Sequence, residues 1–478
     1  MSQQRKTKLK KARRGKGSHK ASPRFMAVKV LSGWLSEEPG KRPELESLGN
    51  EAIGRVSFSQ RDKKLFWNIL FGTVRWLRLL RWHIERYVKR FSKLPKELQA
   101  ILFTGAYQII FLSRVPFFSA VNEAVEITRH LRLSWATGLV NASLRNLARG
   151  TKVVIQEQGE LLERCSGSFD NCVSNLTSHP HWMVKRWHGY WGREGCAAIC
   201  INNNISPELV VRVNTLKITR KEFSQLLAKE GIVAQETEIS PFGLRLLDVG
   251  GRVEEIPGFN QGLFQVQDES SQLAGLLLDP CKGDKVLDVC AGVGGKTTLI
   301  AQLMNDQGFI AACDINVDRL ALLRENCTRL GIGCVETFKL PDDEKRLFSL
   351  GPFDKILIDA PCSGLGVIRR HPDIKWNRTP KHIESLAVMQ RQILDKWSNL
   401  LKPGGMLVYS VCTLEEEETH QAVQDFLNNH AGFSQVDPKK VLQEVPDDLI
   451  RDGRVVILPG SYKMDGFFVA IFQNQNTS

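Results

Sequence analysis

The sequence predicts a multi-domain chain: an all-α N-terminal domain, a small α/β or α+β middle domain, and a C-terminal doubly wound α/β domain. Three observations carry this. From Arg24 to about Gly150 apolar residues recur at intervals of three and four, with little strand-like alternation. Helical and strand-like stretches then mix without a dominant period. From Leu263 onward, apolar strand runs alternate with amphipathic helices, as in a parallel sheet covered on both faces.

With 478 residues, the chain is too long for one ordinary core. The expected domains are residues 22–150, 151–262 and 263–478, behind a basic segment 1–21. The first twenty residues carry nine Lys or Arg and no acid, and read as a disordered tail or as an RNA-contacting arm. They lack the apolar core of a secretory signal, although an acid-poor, basic start is compatible with a transit peptide.

A formal charge of +13 favours a polyanionic partner, nucleic acid above all. The absence of an apolar run of about 20 residues argues against a membrane span. Eleven cysteines form no C-x-x-C pair, and several (Cys290, Cys313, Cys334) sit in apolar runs. They read as thiols of a reduced, intracellular chain, with a cytoplasmic location.

In the first domain, Lys64–Phe91 and Leu98–Leu112 are the long periodic stretches, and five to eight helices are expected. Trp76, Arg78, Arg81, Trp82, Arg86 and Arg90 crowd one of them; taken singly, each reads as a core aromatic or a solvated arginine. The middle region shows a helix around Trp182–Trp191 and a strand-like Leu209–Asn214.

The strands of the last domain are expected at Lys285–Val289, Phe309–Cys313, Lys355–Ile358, Met406–Val411 and Phe467–Phe472. Before the fourth, Ile383, Leu386, Ile393, Leu394, Trp397, Leu400 and Leu401 share one helical face, which Lys402-Pro403-Gly404-Gly405 terminates. Ligands of such sheets bind at the carboxyl ends of the strands.

The first of these strands runs into Cys290-Ala291-Gly292-Val293-Gly294-Gly295-Lys296-Thr297 and then a helix. Glycines there let backbone approach a ligand that faces the helix N-terminus. A Walker A loop needs glycine where Cys290 stands, and the dinucleotide spacing G-x-G-x-x-G is not met. Asp314 lies about twenty residues on, after the next strand, where a carboxylate can accept both ribose hydroxyls. Spacing alone leaves S-adenosyl-L-methionine (SAM) and a nucleotide equally open.

Two cysteines end neighbouring strands: Cys362 in Asp359-Ala-Pro-Cys-Ser-Gly, and Cys412 in Tyr409-Ser-Val-Cys-Thr. Carbon 5 of cytosine becomes a nucleophile when a thiolate adds to carbon 6, so that chemistry demands a cysteine beside a group that stabilises the ring. Thr413-x-x-Glu416 reads as a capping box, which would place Cys412 at a helix N-terminus and favour its thiolate. The acids Glu415 to Glu418 would oppose that. Asp359 is expected to bond ring nitrogen 3 and exocyclic nitrogen 4, and Cys362 to act as base or to assist release.

Together, Asp288–Thr297 and the two cysteine segments resemble the SAM-binding and catalytic motifs of the RsmB/NOP family of RNA 5-methylcytosine methyltransferases. Phe264–Gln272, Arg369–Asp373 and Asp465–Phe468 also look like family segments. Ser22–Ala27, Phe71–Arg75 and Leu144–Leu147 resemble the NusB-like RNA-binding domain of its bacterial members.

The resemblance implies a Rossmann-like class I SAM-dependent methyltransferase domain. It also implies 16S ribosomal RNA as substrate, modified at one cytosine by a monomeric enzyme. Cys412 is then the nucleophile and Cys362 assists release. The cofactor site is implied at Cys290, Ala291, Gly292, Val293, Gly294, Gly295, Lys296, Asp314 and Asp359, with Asp342 as the acid after the third strand. The chain departs from the family at Val293, where a proline usually stiffens the loop. The alternative is an RNA-binding assembly factor that kept the fold without the chemistry.

Overall fold

The computed structural model describes residues 22–165, 167–247, 249 and 252–476. The basic segment 1–21 lies outside them. The chain divides into two compact units, one running to Asn204 and including His371–Asn377, the other holding the rest.

The first unit is helical. Its helices are α1 (Pro23–Ser36), α2 (Leu45–Gly54), α3 (Gln60–Arg75), α4 (Leu77–Glu85), α5 (Lys96–Phe111), α6 (Phe117–His130), α7 (Thr137–Arg149), α8 (Gln158–Arg164), α9 (Phe169–Leu176) and α10 (His181–Asn202). Ser22 and Ser59 cap α1 and α3 through their hydroxyls, and Pro23 suits the first turn, where no amide donor is needed. The Lys64–Phe91 stretch breaks at Trp76, whose non-helical backbone separates α3 from α4. Leu98 to Ile109 of α5 are buried on every side, so this helix is the axis around which the others pack.

The segment His371–Asn377 completes this unit. Leu45 N donates to Asp373 (3.2 Å), the Lys375 ammonium to the Arg75 carbonyl (2.8 Å), and Trp376 Nε1 to the Val74 carbonyl (2.8 Å). The expectation of uniformly reduced thiols is corrected at one pair. The short turn between α8 and α9 brings the Cα atoms of Cys165 and Cys172 to 5.4 Å, within bridging range, and the two are joined as a disulfide.

The second unit begins with a four-stranded antiparallel sheet, order β2-β3-β1-β4, formed by β1 (Leu209–Val213), β2 (Val233–Glu236), β3 (Gly243–Leu247) and β4 (Phe264–Val266). Helix α11 (Arg220–Lys229), opened by a Thr219/Glu222 capping box, covers a core of Val211, Val213, Phe223, Leu227, Leu244 and Phe264.

The large sheet follows: α12 (Glu269–Leu278), β5 (Lys285–Asp288), α13 (Gly295–Leu303), β6 (Phe309–Asp314), α14 (Val317–Leu330), β7 (Val335–Lys339), α15 (Glu344–Leu350) and β8 (Phe353–Asp359). It continues with α16 (Pro380–Ser398), β9 (Leu401–Val411), α17 (His420–Asn429), β10 (Phe433–Gln435), β11 (Ile450–Arg451), β12 (Arg454–Ile457) and β13 (Phe467–Asn474).

Its order is β11-β12-β13-β9-β8-β5-β6-β7, with β10 on β13. The strands from β9 to β7 are parallel and β13 is antiparallel to β9. The buried faces of Val286, Ile310, Leu357, Val408 and Val469 form the central core. Two readings needed correction. Strand β7 escaped the apolar-run criterion because Val335-Glu336-Thr337 is only partly buried at the parallel edge. Lys402-Pro-Gly-Gly, read as a helix stop, lies inside β9 as the irregularity between the Phe353↔Leu401 and Lys355↔Met406 pairings.

Candidate active site

The parallel strands point their carboxyl ends at one edge, where the glycine loop, Asp314, Asp359, Cys362 and Cys412 all emerge. Strand β5 ends at Asp288, and the loop from Cys290 turns back through left-handed Gly292 (φ 56°) and Gly294 (φ 87°). Asp314 at the end of β6 steadies it: Gly292 N donates to one carboxylate oxygen (3.0 Å) and Asn316 N to the other (2.7 Å). A Cβ at Gly292 would meet nothing within 4 Å, so the loop backbone there faces open space. Burial pushes the Cys290 thiol up, reinforced by Asp288, Asp359 and Asp314, so Cys290 holds its proton.

Lys296, in the first turn of α13, reaches across the edge to Asp359 (2.6 Å) with its ammonium over the Phe467 ring (5.2 Å). The second Asp359 oxygen accepts from Ser410 Oγ (2.8 Å). Below the loop, Asp288 accepts from Thr297 Oγ1 (2.6 Å), and burial raises its carboxyl to about 7.

The sulfurs of Cys362 and Cys412 are 3.2 Å apart. The hydrogen bond to Cys412 and then burial push the Cys362 thiol well up, with Glu418 adding to the shift, so Cys362 holds its proton. The expected capping box at Thr413 is not formed. Glu416–Glu418 is a single 3₁₀ turn without a side-chain cap, and α17 starts only at His420, so no α-helix opens directly after Cys412. Thr413 instead bonds Ser363 Oγ (2.8 Å), because both strand ends turn inward here.

The acid run has a different purpose from the one its charge suggested. Glu418 is fully buried and accepts from Ser363 N (2.8 Å), Ser363 Oγ and Gln390 (3.0 Å), and so fixes the turn that carries Cys362. Backbone locks the same turn from the other side: Gly366 N donates to the Cys412 carbonyl (3.0 Å), and Gly466 N to the Gly366 carbonyl (2.9 Å). Arg370 bridges Asp268 (2.6 Å) and Asp465 and holds the strand ends together. Asp342 lies beyond β7, largely exposed and paired with Lys339 (2.6 Å). Ile315, next to Asp314 and 75% exposed, escaped the sequence reading because an isolated isoleucine carries no motif.

A parallel core ordered β7-β6-β5-β8-β9 with antiparallel β13 beside β9, a glycine loop after β5 and an acid after β6 define a Rossmann-like, class I SAM-dependent methyltransferase. The chain matches the family described as "16S rRNA methyltransferase RsmB/F" over residues 275–473, the "NusB family" over 21–149, and an RsmF/B-like ferredoxin-like domain over 179–251. It is 34% identical to ribosomal RNA small subunit methyltransferase B of Pseudomonas syringae pv. tomato, spanning 94% of this chain and 96% of the relative. It thus belongs to the RsmB/F family of 16S ribosomal RNA methyltransferases.

The protein of the same name from Pectobacterium atrosepticum is 36% identical over 87% of this chain and 92% of its own length. A solved structure of a methyltransferase homologue from Pyrococcus horikoshii superposes with a TM-score of 0.55 at 29% identity, covering 66% of this chain and 99% of that one. Residues 21–149 of the N-terminal unit are accordingly NusB-like, and residues 179–251, which carry β1, β2 and β3, are ferredoxin-like.

The residues present fit SAM. Among the described residues, Asp288 Oδ1 and Gln267 Oε1 are buried acceptors without a partner, and both lie by the loop, where an ammonium or hydroxyls can satisfy them. The Asp314 carboxylate stands beside the loop at the end of β6, and Val293 and Ile315 expose apolar side chains next to it.

Proposed function

We propose that this protein methylates carbon 5 of one cytosine in 16S ribosomal RNA through a covalent bond between Cys412 and the base. The observation that carries this reading is the pair of thiols 3.2 Å apart at the ends of adjacent strands, with Asp359 at the end of β8 opposite Ser410, two residues before Cys412. No single thiol at a strand end would suffice, since a small buried cysteine is common.

In this reading the Cys412 thiolate adds to carbon 6, and the displaced ring electrons make carbon 5 nucleophilic. Asp359 accepts the exocyclic amine, while Lys296, 2.6 Å behind it, supplies through Asp359 the proton that ring nitrogen 3 takes up. Bound SAM supplies the methyl group, and Asp314, the loop 290–296, Asp288 and Asp342 are the residues that would hold it. The carbon 5 proton then passes to a water molecule, the carbon 5–carbon 6 double bond re-forms as the carbon 6–sulfur bond breaks with its electron pair returning to Cys412, and ring nitrogen 3 gives its proton back through Asp359 to Lys296. Cys362, still protonated, hydrogen-bonds the departing sulfur and assists it.

The target base must be unstacked, since an A-form helix hides its edge. In the NusB-like unit, Arg24, Arg61, Lys64 and Arg114 line a groove of about 810 Å³ together with Asp62, and this is a surface for the RNA backbone.

The test is a pair of variants with labelled cofactor and 16S RNA. Cys412→Ala should abolish methyl transfer without a covalent product. Cys362→Ala should accumulate a protein–RNA adduct that survives denaturing electrophoresis. An adduct formed only by the Cys412 variant would reverse the two roles.

A further inference from the structure

The cofactor loop is held from outside by the small antiparallel sheet through two chains of hydrogen bonds. In the first, Arg212 of β1, fully buried, donates from Nη2 to Thr298 Oγ1 (2.8 Å). The Thr298 hydroxyl in turn donates to the carbonyls of Gly294 (2.7 Å) and Gly295 (3.2 Å). In the second, Arg329 near the end of α14 donates to the carbonyls of Phe259 (3.1 Å) and Phe264 (2.9 Å) and to the Gln265 side chain. The same guanidinium donates to Asn326 Oδ1 (3.1 Å), and Asn326 Nδ2 donates to the Val293 carbonyl (3.0 Å).

The attachment of α14 to the small sheet is itself tight. Asn214 donates to the carbonyls of Gly262 and Leu330 (both 2.9 Å), and Lys217 to those of Gln261 (2.8 Å) and Arg329 (2.9 Å). A Cβ at Gly262 would sit 1.9 Å from the Arg329 carbonyl oxygen, so this approach tolerates only glycine. Two arginines therefore lie at this junction. Burial lowers Arg212 to about 9, and Arg329 also falls. The oxygens that accept from these two guanidinium groups are those of a hydroxyl, backbone carbonyls and side-chain amides, all uncharged.

Three consecutive loop carbonyls, those of Val293, Gly294 and Gly295, are thus the end points of both chains. They lie where the loop sequence offers least stiffness, with glycines at 292, 294 and 295 and valine at 293. A free glycine-rich loop loses more conformational entropy on ordering than any other backbone, and that loss weakens binding.

We propose that Arg212, Asn326 and Arg329 are positioning residues that pre-set the cofactor loop from the small sheet, in place of stiffness the loop lacks. This rests on the reading of residues 290–297 as the SAM loop. None of the three side chains reaches the reacting atoms; each acts through the loop backbone.

The experiment measures SAM binding to the full chain by calorimetry, with kcat and KM for SAM and for RNA, and the melting temperature without ligand. Asn326→Ala removes the last link of one chain at a partly exposed position, so the protein should fold. Loss of one hydrogen bond predicts a Kd and KM for SAM raised about fivefold, with kcat and the KM for RNA little changed. Arg329→Lys should do the same, since an ammonium cannot span the four acceptors. Adding Val293→Pro to Asn326→Ala should restore the wild-type Kd by stiffening the loop covalently.

Unchanged Kd in both single variants would overturn the assignment. So would a lowered melting temperature with unchanged Kd, or a weakened Kd that the proline does not restore. Failure of the wild-type chain to bind SAM at all would instead overturn the reading of the loop itself.

Discussion

Gly366→Ala should damage both stability and catalysis, because Gly366 joins the two cysteine-bearing turns through backbone. Its Cβ would lie 2.1 Å from the Gly466 carbonyl oxygen and 3.0 Å from that of Cys412. Ordinary contact needs about 3.5 Å, so the Asp465-Gly466 turn must retreat by more than about 1 Å. Both neighbours are backbone, and no side-chain rotation relieves the clash.

The retreat strains or breaks the hydrogen bonds Gly366 N to Cys412 O (3.0 Å) and Gly466 N to Gly366 O (2.9 Å). Two such bonds at about 1 kcal/mol each, with overpacking of about 1–3 kcal/mol, give a loss of roughly 3–5 kcal/mol. For a unit of this size that is a fall of about 10 °C in its melting transition. A shift of about 1 Å between Cys362 and Cys412 should also lower kcat roughly a hundredfold.

Differential scanning calorimetry and methyl transfer to 16S RNA read the two effects. Gly138→Ala on α7, where a Cβ would meet nothing within 4 Å, serves as the control without a clash and should melt no lower than wild type. A Gly366→Ala protein with wild-type melting temperature and turnover would refute the backbone-lock argument.

Other outcomes follow from the same geometry. Burial raises the Asp288 carboxyl from 3.8 to about 7, so the native state holds a proton that the unfolded chain releases, and stability falls as pH rises through that window. Asp288→Asn should remove that loss, gaining on the order of 4 kcal/mol over wild type by pH 8, read from denaturant unfolding at pH 4 and pH 8; equal differences at both would contradict it. Asp314→Ala removes the acceptor of Gly292 N and Asn316 N and should weaken SAM binding at least about tenfold, measured by calorimetry. Charge removal at Arg61 and Arg114 should lower RNA affinity and flatten its dependence on salt by about two phosphate contacts, read from binding at several ionic strengths.

Much of the fold was legible in linear order because its signals are local. Apolar periodicity marked the helices of the first unit, and continuous apolar runs marked β5, β6, β8, β9 and β13, since strands covered on both faces need no polar side. The glycine loop and the two strand-end cysteines were readable for the same reason: the edge to which parallel strands deliver their ends is common to all of them. Strand β7 was not, because an edge strand keeps polar residues on its uncovered positions.

Contacts between residues distant in the chain were not legible. Sequence periodicity could place Cys362 and Cys412 at one sheet edge, yet their 3.2 Å separation depends on β8 lying beside β9 and on Gly366, Gly466 and Glu418 holding the turns. The capping box at Thr413 failed for a related reason: the hydroxyl bonds Ser363 across the sheet (2.8 Å) and accepts from the Glu415 amide (3.3 Å), not from the Glu416 amide that a capping box uses, and tertiary hydrogen bonding overrode a helix signal. That His371–Asn377 completes the helical unit has no local signal, since the pairing of Lys375 with the Arg75 carbonyl spans 300 residues. The sequence by itself thus determined which chemistry-bearing residues exist and on which kind of element. Only the tertiary structure decided which of them touch, because side-chain and backbone contacts between strands are set by sheet order and turn geometry, and linear spacing encodes neither.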